Sequence, residues 1–283
     1  MSDSDLPEPE YLVIGYITED ETGYRYVPGG SVYYGSVTAL RLGLKASVVT
    51  SCDENLIIPK EMSDSNIEIV HSKATTRFRN EYQNKLGYSI RKQYVGNLAN
   101  EIRLEDVPLH WRTIPMVHLG PLMGEVGSDI ASAFPKSVVI ASIQGWTREV
   151  NLDGEVVRKY WEGNDVLTHV DIAICSKEDI HSNGDIERWA SMVPLFIVTE
   201  GSQGVTVYDG GSESRIEAIN VKEIDPTGAG DVFTAAYLIR FSETSDPIES
   251  AIFASIAAGM SVSASGVQAI PDKGAIESLR PNS

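Results

Sequence analysis

Ten residues towards the carboxyl end, Ile224-Asp225-Pro226-Thr227-Gly228-Ala229-Gly230-Asp231-Val232-Phe233, carry the strongest chemical signal in the sequence. Pro226 fixes its own φ and pushes Asp225 towards extended backbone, while Gly228 and Gly230 permit angles and close approaches that a side chain would forbid. The apolar pattern Ala235, Ala236, Leu238, Ile239 that follows predicts a helix. The unsatisfied amides of its first turn and the positive end of its dipole would converge on an anion, and a phosphate suits that geometry. Asp231 stands at the beginning of the helix. Its carboxylate could take the proton of a hydroxyl about to attack phosphorus, or it could do no more than cap the helix's own amides.

The elements that must position this loop read as short apolar runs. Tyr11-Leu12-Val13-Ile14-Gly15 suits a strand buried on both faces, and 46–50, 67–70, 116–120, 137–141 and 172–175 read alike, as strands of a mostly parallel sheet. Helices are predicted at 31–42, after Pro28-Gly29-Gly30, at 124–134 and at 248–264. Asp20 leaves the carboxyl end of the first strand, the place where open α/β sheets hold ligands, although Glu19 and Glu21 beside it also allow a solvated acidic loop. Residues 75–82 and 88–94, around a polar turn at 84–87, form a hairpin whose Thr76, Phe78, Asn80 and Tyr82 share one face. Ser176 and Asp179 have capping-box spacing after a strand, and Phe196 to Tyr208 gives two strands around the glycine turn Gly201 to Gly204.

The string Asp225 to Asp231 resembles the Asp-Thr-x-Gly-Ala-Gly-Asp signature of the ribokinase-like (PfkB-type) carbohydrate kinases, and Pro226 makes it most like the version found in inositol kinases. The resemblance implies a three-layer α/β/α ribokinase-like fold, a mostly parallel central sheet flanked by helices, in a single domain over 1–283. A small β lid formed by 73–97 with 16–28 would cover the substrate and could be completed by a second subunit. Asp231 would be the general base, and the amides of Gly228, Ala229 and Gly230 would stabilise the moving phosphoryl group. Asp20, Gly29, Gly30 and Ser31 would line the substrate pocket, Ser31 replacing the Asn of many members. Gln144-Gly145-Trp146-Thr147-Arg148 is similar to a segment of inositol-kinase-like members. Arg148 could there contact substrate or phosphate, or anchor the loop to nearby acids. On the donor side the resemblance implies ATP held by Ser176, Thr199, Gly201, Gly204, Thr227, Gly228 and Gly230, with 248–264 and Gly266-Val267 walling the adenine. Asp179, or Glu178 if the match slips by one, would organise Mg²⁺ through water. Ser176 and Asp179 depart from the family's Asn-x-x-Glu.

Composition narrows the partners. A chain of 283 residues that is 42% hydrophobic can bury a large core. A formal charge of −17 without a basic cluster argues against nucleic acid and anionic membranes and leaves small molecules. Cys52 and Cys175 are far apart and outside CxxC spacing, and His71, His110, His118, His169 and His181 show neither HxH nor HExxH, so neither a disulfide framework nor zinc is supported. No P-loop, GxGxxG junction or GxSxG elbow occurs. Residues 1–10 read as a flexible acidic tail without the marks of a secretory signal, and a cytoplasmic location is expected. The expectation is therefore an ATP-dependent kinase for a hydroxyl of a small sugar or inositol-like polyol. The alternatives are a nucleoside kinase, with Tyr33, Phe78 and Tyr82 forming a slot for the base, and a catalytically silent sugar sensor.

Overall fold

The computed structural model describes residues 9–85, 88–182 and 184–280, and the side chains of 82–91 lie outside the description. Most of the expected acidic tail and the tip of the long hairpin therefore lie outside the described residues, as does the side chain of Tyr82. In chain order, β1 (Tyr11–Gly15), β2 (Thr18–Thr22) and β3 (Arg25–Gly29) lead into α1 (Ser31–Arg41). β4 (Ala46–Cys52) and β5 (Asn66–His71) precede the hairpin β6 (Thr76–Lys85) and β7 (Tyr88–Asn97). Then come β8 (Met116–Gly120), α2 (Ser128–Ala131), β9 (Val138–Ser142), the short pair β10 (Arg148–Val150) and β11 (Val156–Arg158), and α3 (Asn164–Leu167). β12 (Ile172–Ser176), α4 (Asp185–Ala190), β13 (Leu195–Thr199), β14 (Val205–Asp209) and β15 (Ser212–Ile216) follow. The chain then becomes helical in α5 (Ala229–Thr244), α6 (Pro247–Ser261) and α7 (Lys273–Ser278).

Nine strands form one sheet in the order β15-β14-β13-β12-β9-β8-β1-β4-β5. From β5 to β13 every pairing is parallel, and β14 and β15 are added antiparallel at the edge. β1, β4 and β8 are buried along their whole length, the polar Ser47, Thr50, Ser51 and His118 included, as strands covered on both faces must be. One apolar cluster joins α1, α5 and α6 to one face, and a second, containing Trp111, Trp146 and Trp189, covers the other. The three expected layers are present. Strand order reverses at β1, with β4 on one side and β8 on the other, so the crevice beyond their carboxyl ends is where this topology places a ligand.

A four-stranded sheet, β3-β2-β6-β7, stands apart from the main sheet. It contains Asp20 at the middle of β2, opposite Val27 on β3 and Phe78 on β6. Asp20 thus belongs to a strand, with neighbours fixed by register, and not to a solvated loop.

The helix predicted over 124–134 is reduced to the single turn of α2. Glu125 explains the difference. Its buried carboxylate accepts from the amides of Tyr16 at 3.1 Å, Leu122 at 2.9 Å and Met123 at 2.8 Å, while its own carbonyl takes the Ile102 amide at 2.8 Å. Gly127 donates back to the Ile102 carbonyl at 3.2 Å, so the segment is held extended against Ile102 before a helix can begin.

Candidate active site

Gly228 is the N-cap of α5, with φ 78°, and a Cβ there would run into the ring of Tyr34 on α1. Both the left-handed angle and the ring exclude a side chain. Asp225 shapes the bend: its Oδ1 accepts from the Thr227 amide at 3.0 Å and its Oδ2 from the Gly266 amide at 3.2 Å. The amides of Ile224 and Asp225 both donate to the Val262 carbonyl, at 2.8 and 3.1 Å, which ties the bend to the end of α6. The Ala229 amide turns back onto the Pro226 carbonyl at 3.2 Å, while among the described residues the amides of Gly228, Gly230 and Asp231 have no protein acceptor. A Cβ on Gly230 would meet nothing within 4 Å beyond the helix's own backbone, so the space beside Gly230 is open at a positive helix end.

Asp231 sits in that first turn, half-buried. Burial pushes its carboxyl up to about 7, the Arg148 charge opposes this and the Asp20 charge adds to it. A carboxylate on the smaller sheet is therefore felt at the head of α5. Tyr34 links the same groups: its hydroxyl is pushed well above the ordinary range by burial first and then by Asp20, Asp225 and Asp231. Asp20 accepts from the Thr18 hydroxyl at 2.9 Å, and a Cβ on Gly29 would stand 2.6 Å from its Oδ2, so Gly29 makes room for the carboxylate. Gly30, at φ 92°, packs against the Tyr16 carbonyl. Ser31 is fully buried and its hydroxyl donates to the Gly120 carbonyl, so it fastens α1 to the end of β8 at the switch point.

Arg148 anchors its loop and also acts on the site. Its Nη2 donates to Asp179 Oδ1 at 2.8 Å, and with the Gln144 amide oriented to satisfy both groups, Gln144 accepts from Nη1 at 3.2 Å. Gly145 packs on the Pro121–Leu122 backbone and Trp146 stacks on Trp161 at 5.6 Å, which holds this segment beside the strand ends. Asp179 closes the capping box expected from the sequence, its Oδ2 accepting from the Ser176 amide at 3.0 Å, but the turn it caps is a single 3₁₀ turn at Lys177–Asp179. With its side chain 1% exposed and both oxygens engaged, Asp179 does not fit the Mg²⁺ role implied by the resemblance, whereas the alternative, Glu178, is exposed on the same turn. Among the described residues no three His, Cys, Asp or Glu side chains are grouped to hold a metal.

On the expected donor side, the Thr199 hydroxyl donates to the Cys175 carbonyl at 3.3 Å. Gly201, at φ 56°, has open space where a Cβ would point, whereas Gly204, at φ 98°, packs on the Ile216 carbonyl. Thr227 is exposed on the bend. Tyr34 and Glu125 escape the sequence reading: one is a tyrosine in an apolar helix and the other an acid in a stretch that reads as helical.

Fold and site together define an α/β chain of ribokinase-like fold with an anion-receptive helix head facing a carboxylate from a smaller sheet. Residues 164–273 match the model of the pfkB family carbohydrate kinases. The ribokinase of Bacillus subtilis (strain 168) is 44% identical over 87 residues, which is 30% of this chain and 29% of the ribokinase. The chain thus aligns to less than a third of that relative's length. The cytidine kinase of Thermococcus kodakarensis is 23% identical over 259 residues, covering 82% of this chain and 88% of that protein. A pyrophosphate-dependent kinase of the ribokinase family, solved with a pyrophosphate analog and myo-inositol, superposes with TM-score 0.79 at 21% identity, over 95% of this chain and 100% of the other. Among the described residues no helix is long and apolar enough to cross a membrane.

Proposed function

We propose that this protein is a kinase that transfers a phosphoryl group to a hydroxyl of a small sugar or polyol. The observation that carries the reading is a bend whose Gly228, Gly230 and Asp231 amides have no protein acceptor among the described residues, with the Asp231 carboxyl in the first turn that follows it. Asp20, beside the glycines at 29 and 30, would hold two hydroxyls of the acceptor. Asp231 would take the proton of the attacking hydroxyl as the new O–P bond forms and the bond from phosphorus to the donor's leaving oxygen breaks. The Gly228, Gly230 and Asp231 amides would face the oxygens of the moving group, where charge is greatest. Ala229 would contribute its backbone position and not its amide, which is already bonded. The chain would work in the cytoplasm, with the smaller sheet serving as a lid that a second copy could complete.

A polyol is favoured over a nucleoside because Tyr33 and Phe78 are each 5% exposed, so neither presents a face on which a base could stack. ATP is the first donor proposed, by way of Thr199, Gly201, Gly204, Ser176 and Thr227. Pyrophosphate is the second, favoured by the kinase with pyrophosphate analog and myo-inositol that matches this chain over nearly its whole length. The test is an acceptor panel of sugars, inositols and nucleosides, each offered ATP or pyrophosphate with and without Mg²⁺, read as release of ADP or phosphate. Turnover with one polyol is expected. Transfer to nucleosides alone would replace the acceptor, and no transfer to any acceptor would reject the reading in favour of a silent sugar sensor.

A further inference from the structure

Behind the bend runs a line of polar side chains, each from a different element, that the proposed transfer does not use. Tyr11 Oη on β1 lies 2.8 Å from His118 Nδ1 on β8. His118 Nε2 lies 3.3 Å from Ser142 Oγ on β9, and Ser142 Oγ lies 3.2 Å from Thr234 Oγ1 on α5. Thr234 Oγ1 ends the line at the Gly230 carbonyl, 2.8 Å away. Tyr11, His118 and Thr234 are buried and Ser142 is half-buried at its strand's end.

The direction of the protons follows from that last contact. A carbonyl can only accept, so the Thr234 hydroxyl donates to Gly230 and is left to accept from Ser142. Ser142 then accepts from His118 Nε2–H, which leaves Nδ1 bare to accept from the Tyr11 hydroxyl. The opposite tautomer would have Ser142 donate to His118, with no hydrogen between Ser142 and Thr234. Of the two neutral tautomers only this one satisfies all four contacts; an imidazolium would also satisfy them, its Nδ1–H donating to Tyr11 Oη, so the proton direction holds on condition that the imidazole is neutral. Burial supplies that condition by pushing the His118 pKa down to about 3.

All four donors point towards one peptide group. The Gly230 carbonyl and the Asp231 amide belong to the same peptide unit, so a hydrogen bond received at the carbonyl polarises the N–H at its other side, and a chain of aligned bonds strengthens the effect. That N–H is one of the three open donors of the bend, and the next atom along the chain bears the Asp231 side chain. Gly35 and Gly120 leave the imidazole its space, since a Cβ on either would come within 3.3 Å of a ring nitrogen.

We propose that Tyr11, His118, Ser142 and Thr234 form a buried positioning relay that orients and polarises the Gly230–Asp231 peptide for an anion bound at the head of α5. The kinetic part of its test rests on the transfer reading, while the spectroscopic part does not. The full chain, labelled with ¹⁵N, is compared with Thr234→Val, Thr234→Ser and Ser142→Ala. The Asp231 amide resonance moves upfield in Thr234→Val and Ser142→Ala and stays near wild type in Thr234→Ser. The dissociation constant of inorganic pyrophosphate rises ~10-fold in the first two, and with an active enzyme kcat falls ~10-fold at unchanged acceptor KM, each the equivalent of about one net hydrogen bond. If Thr234→Val does not fold, Ser142→Ala at the half-buried strand end gives the same readings. A moved resonance in a protein that transfers nothing supports the relay and sinks the transfer reading. An unmoved Asp231 resonance with unchanged pyrophosphate affinity in the folded variants overturns the relay.

Discussion

Asp231 carries two opposed demands: it must be charged to accept a proton, yet burial and Asp20 hold its carboxyl up to about 7. Turnover is therefore expected to rise with pH through a limb centred near 7, because a base already protonated cannot take another proton. Asp231→Asn should lower kcat by about 10²–10⁴-fold, the usual worth of a general base. The sign for stability runs the other way. Between the ordinary value of 3.8 and about 7 the folded carboxyl holds a proton that the unfolded one has lost, so its contribution to stability falls as pH rises across that window. Asp231→Asn should thus melt higher than wild type at pH 8, with the gap closing towards pH 4. A gap that is absent at pH 8 would show the carboxyl to be ordinary. Arg148 opposes the upward shift, so Arg148→Met should move the activity limb to higher pH. It should also cost about 3–5 kcal/mol, because it leaves the Asp179 carboxylate buried and unpaired. An unmoved limb in a folded Arg148→Met protein would remove Arg148 from the electrostatics of the site.

At the scale of elements, the head of α5 is a bend held by Asp225, by the end of α6 and by Tyr34. Gly228→Ala should damage it twice, through a left-handed φ that costs about 1–2 kcal/mol for an L-residue and through the collision with Tyr34. Gly230→Ala meets no such obstacle, so its Tm should stay near wild type while pyrophosphate affinity falls, because the new methyl occupies the open space beside Gly230. Equal losses of Tm in the two variants would refute this distinction. The bend was legible because Pro and Gly act on their own backbone, and the strands were legible because a doubly buried strand needs a mostly apolar run. The helix expected at 124–134 failed because its fate is set by Glu125 reaching the Tyr16 amide, a contact across 109 positions that no local pattern contains. Ser31 and Thr199 were legible as residue types, but the carbonyls that occupy their hydroxyls were not, since Gly120 and Cys175 become their neighbours only when the parallel sheet forms.

For the whole molecule, charge is the dominant global quantity, and it acts in two directions. Arg240 on α5, with a side chain 13% exposed, is gripped by Glu249 on α6 and Glu277 on α7, and Arg280 returns to the same two glutamates. Lys273 adds a bond to Glu243, so the far end of the helix that bears the bend is fastened to both following helices. Salt would weaken such pairs, but Arg240 and Glu249 are largely shielded and screening reaches them least. The net −17 is spread over the surface and repels itself over distances that salt cuts from a Debye length of about 30 Å at 0.01 M to about 8 Å at 0.15 M. The long-range repulsion is therefore relieved before the short-range pairs are harmed. The melting temperature should rise as KCl goes from 0.01 to 0.15 M, and Arg240→Met should lower it at both salt concentrations by a similar amount. A melting temperature that falls with salt in the wild type but not in Arg240→Met would mean that the helix network, and not the surface charge, sets the molecule's response.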